Sequence, residues 1–224
     1  MKEIIRLENV VKLYPPKQRA VNGISLSVRE REHVCISGAP GSGKTTLMRL
    51  IAGMESISAG GIFVFEKPVH QLSPEALADF RNRTFGVLQR KPGFMEPLSV
   101  LENVALPLLI RRVPHAKREG AAREQLKLAG IPHLTHAKPS QLSPYEAQLA
   151  SVARAFVTGP KILLSDDMTA DLSVKENEQL FGILSALGQF SNCALLYFTG
   201  SDDSSLPFDK RFILVHGKLQ EVQS

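Results

Sequence analysis

The chain has 224 residues and a mass of 24.6 kDa, which suits one α/β domain or two small ones with a well-buried core. Its 43% hydrophobic and 22% charged residues exclude a disordered protein. Lys and Arg outnumber Asp and Glu by 27 to 22, and this net charge of +5 leaves nucleic acid, anionic lipid and phosphorylated ligands open as partners.

The first third of the chain is rich in predicted strands. Short apolar runs bounded by turn residues predict strands at residues 4–11, 20–28, 33–37 and 62–65. After Gln89 the pattern changes, and helical periodicity predicts helices at residues 100–112, 117–129 and 146–157. The middle of the chain is therefore a predicted helical insert.

The last third returns to alternating strands and helices. Strands are predicted at residues 161–165, 193–199, 211–215 and 218–222, and a helix at residues 174–187. This order predicts an α/β fold with a largely parallel, doubly wound sheet that a helical subdomain interrupts.

Three predicted helices share one start signal, Ser-x-x-Glu, which is the pattern of a capping box. It occurs at residues 99–102, 143–146 and 173–176. Pro144 strengthens the second of these boundaries, because a proline at the first helical position lacks only an N–H that the helix does not use.

The chain shows no feature of a membrane-spanning or secreted protein. Its apolar stretches fall far short of the roughly 20 residues that a membrane-spanning helix needs. The charged residues of segment 1–11 leave no room for a secretory signal. We therefore expect a cytoplasmic protein in which Cys35 and Cys193 are reduced and buried.

The densest basic cluster lies at residues 111–118. Pro114 interrupts the cluster, and no aromatic side chains are interleaved for base stacking. We interpret it as a solvated helix end and expect no nucleic-acid partner.

Residues 38–45 carry the clearest chemical motif. They read Gly-Ala-Pro-Gly-Ser-Gly-Lys-Thr and fit the phosphate-loop pattern G-x-x-x-x-G-K-[ST] between a predicted strand and a predicted helix. Glycines allow the backbone to aim its N–H groups at phosphates, and the helix N-terminus adds a positive dipole end. Lys44 would meet the β- and γ-phosphates, and the Thr45 hydroxyl would bind magnesium. The alternative is a glycine-rich turn followed by an incidental Lys-Thr.

A phosphate loop needs an acidic partner for its metal ion. The predicted strand at residues 161–165 ends in Asp166 and Asp167, at the edge where open α/β sheets bind ligands. Asp166 is the candidate on the metal side. The alternative is that both carboxylates only make a loop soluble.

These motifs, in this order, resemble the ATP-binding subunit of ABC transporters. The most similar branch serves lipoprotein release, macrolide export and cell division. The resemblance covers nearly the whole chain and rests on residues at the family's adenine, glutamine-loop, helical-subdomain, signature and Walker B positions: Tyr14, Gln89, 97–104, 142–146, 153–155, Asp166 and Asp167.

The resemblance implies one ABC-type ATP-binding domain at residues 1–224. Its fold would be a P-loop NTPase core with a mainly parallel sheet, an antiparallel β subdomain and an inserted helical subdomain. The core would comprise about residues 1–88 and 158–224, and the helical subdomain about residues 89–157.

The resemblance also implies ATP and Mg²⁺ as cofactors. The metal would be held by Thr45, Gln89 and Asp166, and the catalytic residues would be Asp167, Gln89 and Lys44. The nucleotide would contact eleven residues: Tyr14, Gly38, Ala39, Pro40, Gly41, Ser42, Gly43, Lys44, Thr45, Thr46 and Ser143.

The partners implied are a transmembrane transporter subunit and a second ATP-binding subunit, in a homodimer or heterodimer. Two subunits would sandwich two ATP molecules, each between the phosphate loop of one and the signature of the other. The protein would sit on the cytoplasmic face of the inner (plasma) membrane, and Gln89 and the helical insert would face the transmembrane partner.

Five residues in four motifs depart from the family pattern. The signature Leu-Ser-Gly-Gly has Pro144 and Tyr145 in place of its glycines, which removes a backbone donor and adds a bulky ring. Asp167 replaces the glutamate that polarises water, and a displacement of about 1 Å can cost on the order of a hundredfold in rate. Gly200 replaces the switch histidine, and Ser173 replaces the D-loop aspartate.

The first functional hypothesis is therefore an ATP-binding transporter subunit that hydrolyses ATP slowly. The second is a non-catalytic regulatory subunit that uses ATP to lock a dimer. A third, a soluble ABC-type protein acting on nucleic acid, is weaker because the chain has no appended domain or coiled coil.

Overall fold

The structure is a computed structural model that describes residues 2–16, 18–190, 192–200 and 208–222. The chain forms two compact units. The first unit comprises Met1–Arg81, Leu164–Asp167 and Asn192–Ser224, and the second comprises Asn82–Leu163 and Met168–Ser191.

Ten strands and six α-helices lie within the described ranges. The strands are β1 (Glu3–Tyr14), β2 (Gln18–Arg29), β3 (His33–Ser37), β4 (Ala59–Val64), β5 (Lys67–Pro68), β6 (Phe85–Gln89), β7 (Ile162–Asp166), β8 (Ala194–Thr199), β9 (Lys210–Val215) and β10 (Lys218–Glu221). The helices are α1 (Lys44–Ile51), α2 (Pro74–Thr84), α3 (Val100–Ile110), α4 (His115–Leu128), α5 (Pro144–Phe156) and α6 (Val174–Phe190).

The first unit contains an antiparallel sheet with the order β2-β1-β4-β5. Ile5 of β1 lies opposite Val28 of β2 and Val64 of β4. All three side chains are fully buried. The short apolar run that predicted β1 thus contributes buried side chains to the core.

A mainly parallel sheet carries the candidate site. Within the first unit its order is β10-β9-β3-β8-β7, with β3 parallel to both β8 and β9 and with β10 antiparallel to β9. Strands β3 and β8 are apolar and buried almost throughout, as expected for parallel strands covered on both faces. Helix α1 packs against β8.

The second unit is mainly helical. Helices α3, α4 and α5 pack against one another, α6 packs against α5, and α5 also contacts β6. Strand β6 is the neighbour of β7 in the sheet. The first two residues of β7, Ile162 and Leu163, belong to the second unit. Val104, Leu126 and Val152, one from each packed helix, are fully buried in its core.

All three predicted capping boxes are confirmed. At the start of α3, the Ser99 hydroxyl accepts from the Glu102 N–H at 3.2 Å, and the Glu102 carboxylate accepts from the Ser99 N–H at 2.7 Å. The same reciprocal pairs form at the starts of α5 and α6. Each pair satisfies two backbone donors that a helix terminus otherwise leaves unpaired.

Two predicted element ends are wrong for a backbone reason. The helix predicted at residues 100–112 ends at Ile110, and Arg112 has a φ of +57°, which no right-handed helix contains. The strand predicted at residues 62–65 ends at Val64, because Phe65 has a φ of +49° and begins a turn. Helix α2 and strands β5 and β6 were not predicted.

The basic cluster is only partly a solvated helix end. Arg111 is half-buried, and its guanidinium donates to the Asn82 side chain and carbonyl at 2.6 Å each and to the Thr158 carbonyl at 3.1 Å. The prediction is therefore wrong for Arg111, which holds backbone groups in place. Cys35 and Cys193 are buried and unbridged, as expected.

Helix length bears on the question of membrane crossing. Across the ranges given above, none of the helices combines the length and the apolar character that a bilayer crossing requires.

Candidate functional site

The loop between β3 and α1 has a backbone that requires glycine. Gly41 has a φ of +80° and Gly43 a φ of +110°, and Gly43 is the N-cap of α1. A Cβ atom at Gly43 would collide with the carbonyl oxygen of Ala20, and one at Gly38 would come within 2.6 Å of the Leu214 carbonyl oxygen. The glycines therefore allow a tight loop at a helix N-terminus, where backbone N–H groups and the helix dipole attract anions.

Lys44, the first residue of α1, folds back over this loop. Its ammonium group donates to the carbonyl oxygens of Gly38 at 2.6 Å and Ala39 at 3.3 Å. Only 6% of the residue is exposed. A buried positive charge that neutral carbonyl oxygens hold in place is suited to a multiply charged anion.

Thr45 and Asp166 connect α1 to the end of β7. The Thr45 hydroxyl donates to Asp166 Oδ2 at 2.8 Å. Asp166 is 9% exposed, and its second oxygen, Oδ1, is buried without a hydrogen-bond partner. Burial raises the pKa of the Asp166 carboxyl, the Thr45 hydrogen bond lowers it, and the nearby Asp167 raises it further.

This pair of side chains fits a magnesium ion that a phosphate ligand helps to hold. Mg²⁺ prefers oxygen ligands and is commonly bound by one or two carboxylates together with substrate phosphates. The unpartnered Asp166 Oδ1 and the Thr45 hydroxyl supply two such oxygens beside the loop. Among the residues described, no three His, Cys, Asp or Glu side chains gather into a metal site of their own.

Asp167 is held by backbone groups at the end of β8. Its Oδ1 accepts a hydrogen bond from the Gly200 N–H at 2.7 Å, and its own N–H donates to the Phe198 carbonyl at 2.9 Å. The φ of Asp167 is +47°, a conformation that Asp adopts more readily than most residues. The carboxylate thus accepts a hydrogen bond from the backbone of Gly200, the residue predicted to lie at the switch position.

Tyr14, the last residue of β1, is half-buried and fixed by two neighbours. Lys12 Nζ lies 5.2 Å from the centre of its ring and 3.1 Å from a Glu55 carboxylate oxygen. Burial alone would raise the pKa of Glu55, but hydrogen bonds from Tyr14 and Lys12 outweigh it and leave that pKa lowered. Tyr14 therefore contacts both members of the Lys12–Glu55 ion pair.

Two of the predicted site residues belong to the second unit. Gln89 is the last residue of β6 and is half-buried. Ser143 is the exposed N-cap of α5, and its hydroxyl accepts from the Glu146 N–H at 3.2 Å. Pro144 occupies the first turn of the helix, and burial raises the pKa of the half-buried Tyr145.

The structure thus brings part of the predicted site together. Within the first unit, the loop at residues 38–46 meets Asp166 through Thr45, and Asp167 contacts Gly200. Sequence reasoning missed Glu55, the partner of Tyr14, and Gln148 of α5. It placed Arg154 in the signature helix but did not predict that Arg154, like Gln148, contacts the residues that follow β6. A glutamine at a buried helix position was the one available signal for Gln148.

Comparison with known proteins gives the family. The sequence model described as ABC transporter matches residues 21–170, which is more than half of the chain. The fold is similar to the dimeric ATP-binding cassette MJ0796 in a post-hydrolysis state bound to ADP and Pi, with a TM-score of 0.89 and 26% identity over 99% of this chain and 100% of that one. A second structure, described as the dimeric structure of MJ0796, a bacterial ABC transporter cassette, matches with the same values.

A further solved structure agrees in fold. CbiO1 from Clostridium perfringens, part of the ABC transporter complex CbiONQ, matches with a TM-score of 0.88 and 23% identity over 98% of this chain and 88% of that one. The α/β fold with its phosphate loop is therefore that of the ABC cassettes, which confirms the predicted fold class. This chain belongs to the ABC transporter family, as an ATP-binding cassette domain.

Proposed function

We propose that this chain is the ATP-binding subunit of an ABC-type membrane transporter and that it hydrolyses Mg-ATP slowly. One observation carries the proposal: the Thr45 hydroxyl donates to Asp166 at 2.8 Å and leaves Asp166 Oδ1 buried and unpartnered, beside a glycine loop that holds the Lys44 ammonium. A cation and a polyphosphate together satisfy these groups, whereas neither a carboxylate nor a neutral ligand does.

Each residue of the site has a proposed role. The N–H groups of residues 38–46 and the Lys44 ammonium hold the phosphates, Tyr14 stacks on the adenine, and Ser143 contacts the nucleotide of the opposite subunit. Thr45, Gln89 and Asp166 hold the metal. When bound, magnesium supplies charge neutralisation to the phosphates. Asp167 and Gln89 orient the attacking water.

Slow hydrolysis follows from the surroundings of Asp167. Its carboxylate already accepts a hydrogen bond from the Gly200 N–H, and Gly200 has no side chain with which to contact a γ-phosphate. The shorter reach of Asp and the missing switch side chain both reduce stabilisation of the transition state. We therefore propose that turnover is limited at these two positions.

A dimer is part of the proposal. The dimeric state of MJ0796, whose fold this chain shares, supports a pair of subunits here, either two copies or this chain with a related one. In a homodimer both sites would combine Asp167 and Gly200 with the altered signature at Pro144 and Tyr145. If the partner chain carried the consensus motifs, one nucleotide site would contain Asp167 and Gly200 and the other would contain Pro144 and Tyr145. Neither a homodimer nor such a heterodimer would therefore have a site in which every motif matches the family consensus.

The membrane partner is proposed to be a transmembrane subunit, with this chain on the cytoplasmic face of the inner membrane. The place of CbiO1 in a transporter complex supports such a partner. We place the docking surface at Gln89 and at residues 92–108, in the helical subdomain of about residues 89–157. The lipoprotein-release, macrolide-export and cell-division branch remains the proposed relative.

Crosslinking tests this docking surface. Met95 is 51% exposed within the proposed surface, Val215 is 41% exposed in β9, and both native cysteines are buried. Met95→Cys is expected to crosslink to a co-purified membrane subunit, and Val215→Cys is expected not to. Crosslinks from Val215→Cys alone would contradict the proposed surface.

The second candidate is a non-catalytic subunit that binds ATP and locks a dimer. The hydrogen bond from the Gly200 N–H to Asp167 Oδ1 favours it, because it turns this carboxylate oxygen towards the backbone and takes one of its acceptor sites. Steady-state phosphate release, measured with and without the membrane partner, separates the two candidates. Stimulation by the partner indicates a transporter ATPase, and release that stays at background in both cases indicates the regulatory subunit.

A further inference from the structure

The segment that follows β6 is tied to α5 by side chains. Residues 90–95 form no helix or strand, so their backbone groups lack the partners that regular structure provides. Gln148 and Arg154 of α5 donate to the backbone carbonyl groups of this region. We refer to residues 89–95 as the Gln89 segment.

Gln148 holds the beginning of the Gln89 segment. Its amide nitrogen Nε2 donates to the carbonyl oxygens of Gln89 at 3.2 Å and Arg90 at 2.8 Å. The residue is 3% exposed, and its Oε1 has no hydrogen-bond partner. The reversed amide orientation would place Oε1 against two carbonyl oxygens, so the donors must face the segment. Fixing the Gln89 carbonyl restricts the backbone at Gln89 and hence the direction of its side chain.

Arg154 holds the other end of the segment. Its guanidinium donates to the carbonyl oxygens of Pro92 and of Gly93, the latter at 3.5 Å, and lies 4.6 Å from the centre of the Phe94 ring. Burial lowers the pKa of Arg154 to about 10, so the group stays charged at neutral pH. A planar cation can make both the carbonyl contacts and the ring contact, which a lysine ammonium cannot reproduce together.

The two attachments lie on one helix. Gln148 and Arg154 are separated by six residues, or about 9 Å along the axis of α5, and they hold successive parts of the Gln89 segment in the same order. Ser143, the N-cap of α5, is the proposed contact to the opposite nucleotide. A movement of α5 therefore carries the Gln89 backbone with it.

We propose that Gln148 and Arg154 are positioning residues that fasten the Gln89 segment to α5, so that Gln89 keeps one arrangement relative to Ser143 at the start of that helix. The inference rests on the proposed function only where it gives Gln89 a role at the metal. Neither residue touches nucleotide in this scheme, and their effect reaches the metal through the Gln89 backbone.

Hydrogen exchange and magnesium titration test this proposal together. The variants are Gln148→Met and Arg154→Met, with Gln179→Met and Arg123→Met as controls at exposed helix positions. Loss of the side-chain donors is expected to speed exchange within residues 89–95 at the Met95 amide, whose N–H donates to Asn103 Oδ1 at 2.8 Å, by at least about tenfold. Exchange in β3 and β8 should stay at the parent rate, which excludes global unfolding.

The second readout is the magnesium dependence of binding to a fluorescent ATP analogue. Both variants should need at least about fivefold more Mg²⁺ for half-maximal binding, while binding in EDTA stays within about twofold of the parent. Arg154→Lys should restore part of the exchange protection, because an ammonium can still reach one carbonyl. If the methionine variants destabilise the chain, the same two measurements can be made on Arg154→Lys and Gln148→Asn, which keep a hydrogen-bond donor at each position.

Three outcomes decide the proposal. Unchanged exchange in residues 89–95 in both methionine variants overturns it. Faster exchange with unchanged magnesium dependence also overturns it, provided that Gln89→Ala weakens that dependence. If Gln89→Ala has no effect on magnesium, the proposed metal role of Gln89 fails, and the exchange result alone then confirms or overturns the fastening to α5.

Discussion

Replacing Lys44 by alanine is expected to lower the affinity for a fluorescent ATP analogue in the presence of Mg²⁺ by at least about a hundredfold. Each hydrogen bond from a charged group contributes about 1.5–3 kcal/mol. Because Lys44 would bind two phosphate groups, the substitution removes two such hydrogen bonds. The change also removes the donor that now holds the Gly38 and Ala39 carbonyls, so the loop loses its internal support. Equilibrium fluorescence titration measures the effect.

The matched control for this variant is Lys127→Ala, which removes an exposed lysine from α4. It should bind the analogue as the parent does, and circular dichroism should show that both variants are folded. Unchanged affinity in Lys44→Ala would remove the phosphate-loop assignment and with it the proposed function.

Local chemistry explains why so much of the fold was predictable. Each capping box is a contact between residues three apart, so the pattern at Ser143 and Glu146 already contains the geometry that the structure shows. The phosphate loop is equally local, since its glycines and Lys44 lie within eight residues. Parallel strands such as β3 and β8 appeared as continuous apolar runs because both faces are buried.

The residues that escaped prediction act over long distances in the chain. Gln148 contacts carbonyl groups 58 and 59 residues away, and the backbone atoms that it holds carry no sequence signature. Helix α2 was missed, and it buries one residue, Thr84, so its sequence contains few of the core positions from which helices were predicted. The hydrogen bond from Gly200 to Asp167 spans 33 residues and depends on the positive φ of Asp167, which sequence alone does not give.

The second large expected effect concerns turnover. Asp167→Glu combined with Gly200→His is expected to raise steady-state phosphate release by at least roughly tenfold, because a positioned base or water-orienting group typically supplies about 10² to 10⁴ in rate. Among the described residues, the structure leaves room for a Cβ atom at position 200. A Cβ atom there would lie 3.7 Å from Asp167 Oδ1, an ordinary contact distance.

The backbone at position 167 does not cancel this gain. A glutamate at the φ of +47° adopted by Asp167 costs about 1–2 kcal/mol, but that strain is present in the resting enzyme and in the transition state alike. It therefore lowers the melting temperature and leaves the rate constant free to rise. Gly120→His on α4, where a Cβ meets nothing within 4 Å, and Asp79→Glu on α2 are the matched controls, and neither should change turnover.

The altered signature at Pro144 and Tyr145 should limit the increase in phosphate release. Changing Pro144 and Tyr145 to glycine in the Asp167→Glu, Gly200→His background should add a further increase, because backbone N–H groups at the start of α5 would become available to a γ-phosphate. The opposite subunit supplies that phosphate in the proposed dimer. The increase from the two glycine substitutions should therefore grow with protein concentration, whereas the increase from Asp167→Glu and Gly200→His should depend on concentration less strongly. Two results would show that these positions do not limit hydrolysis. One is a parent protein that already releases phosphate at the rate of an ordinary transporter ATPase, and the other is an unchanged rate of release after all four substitutions.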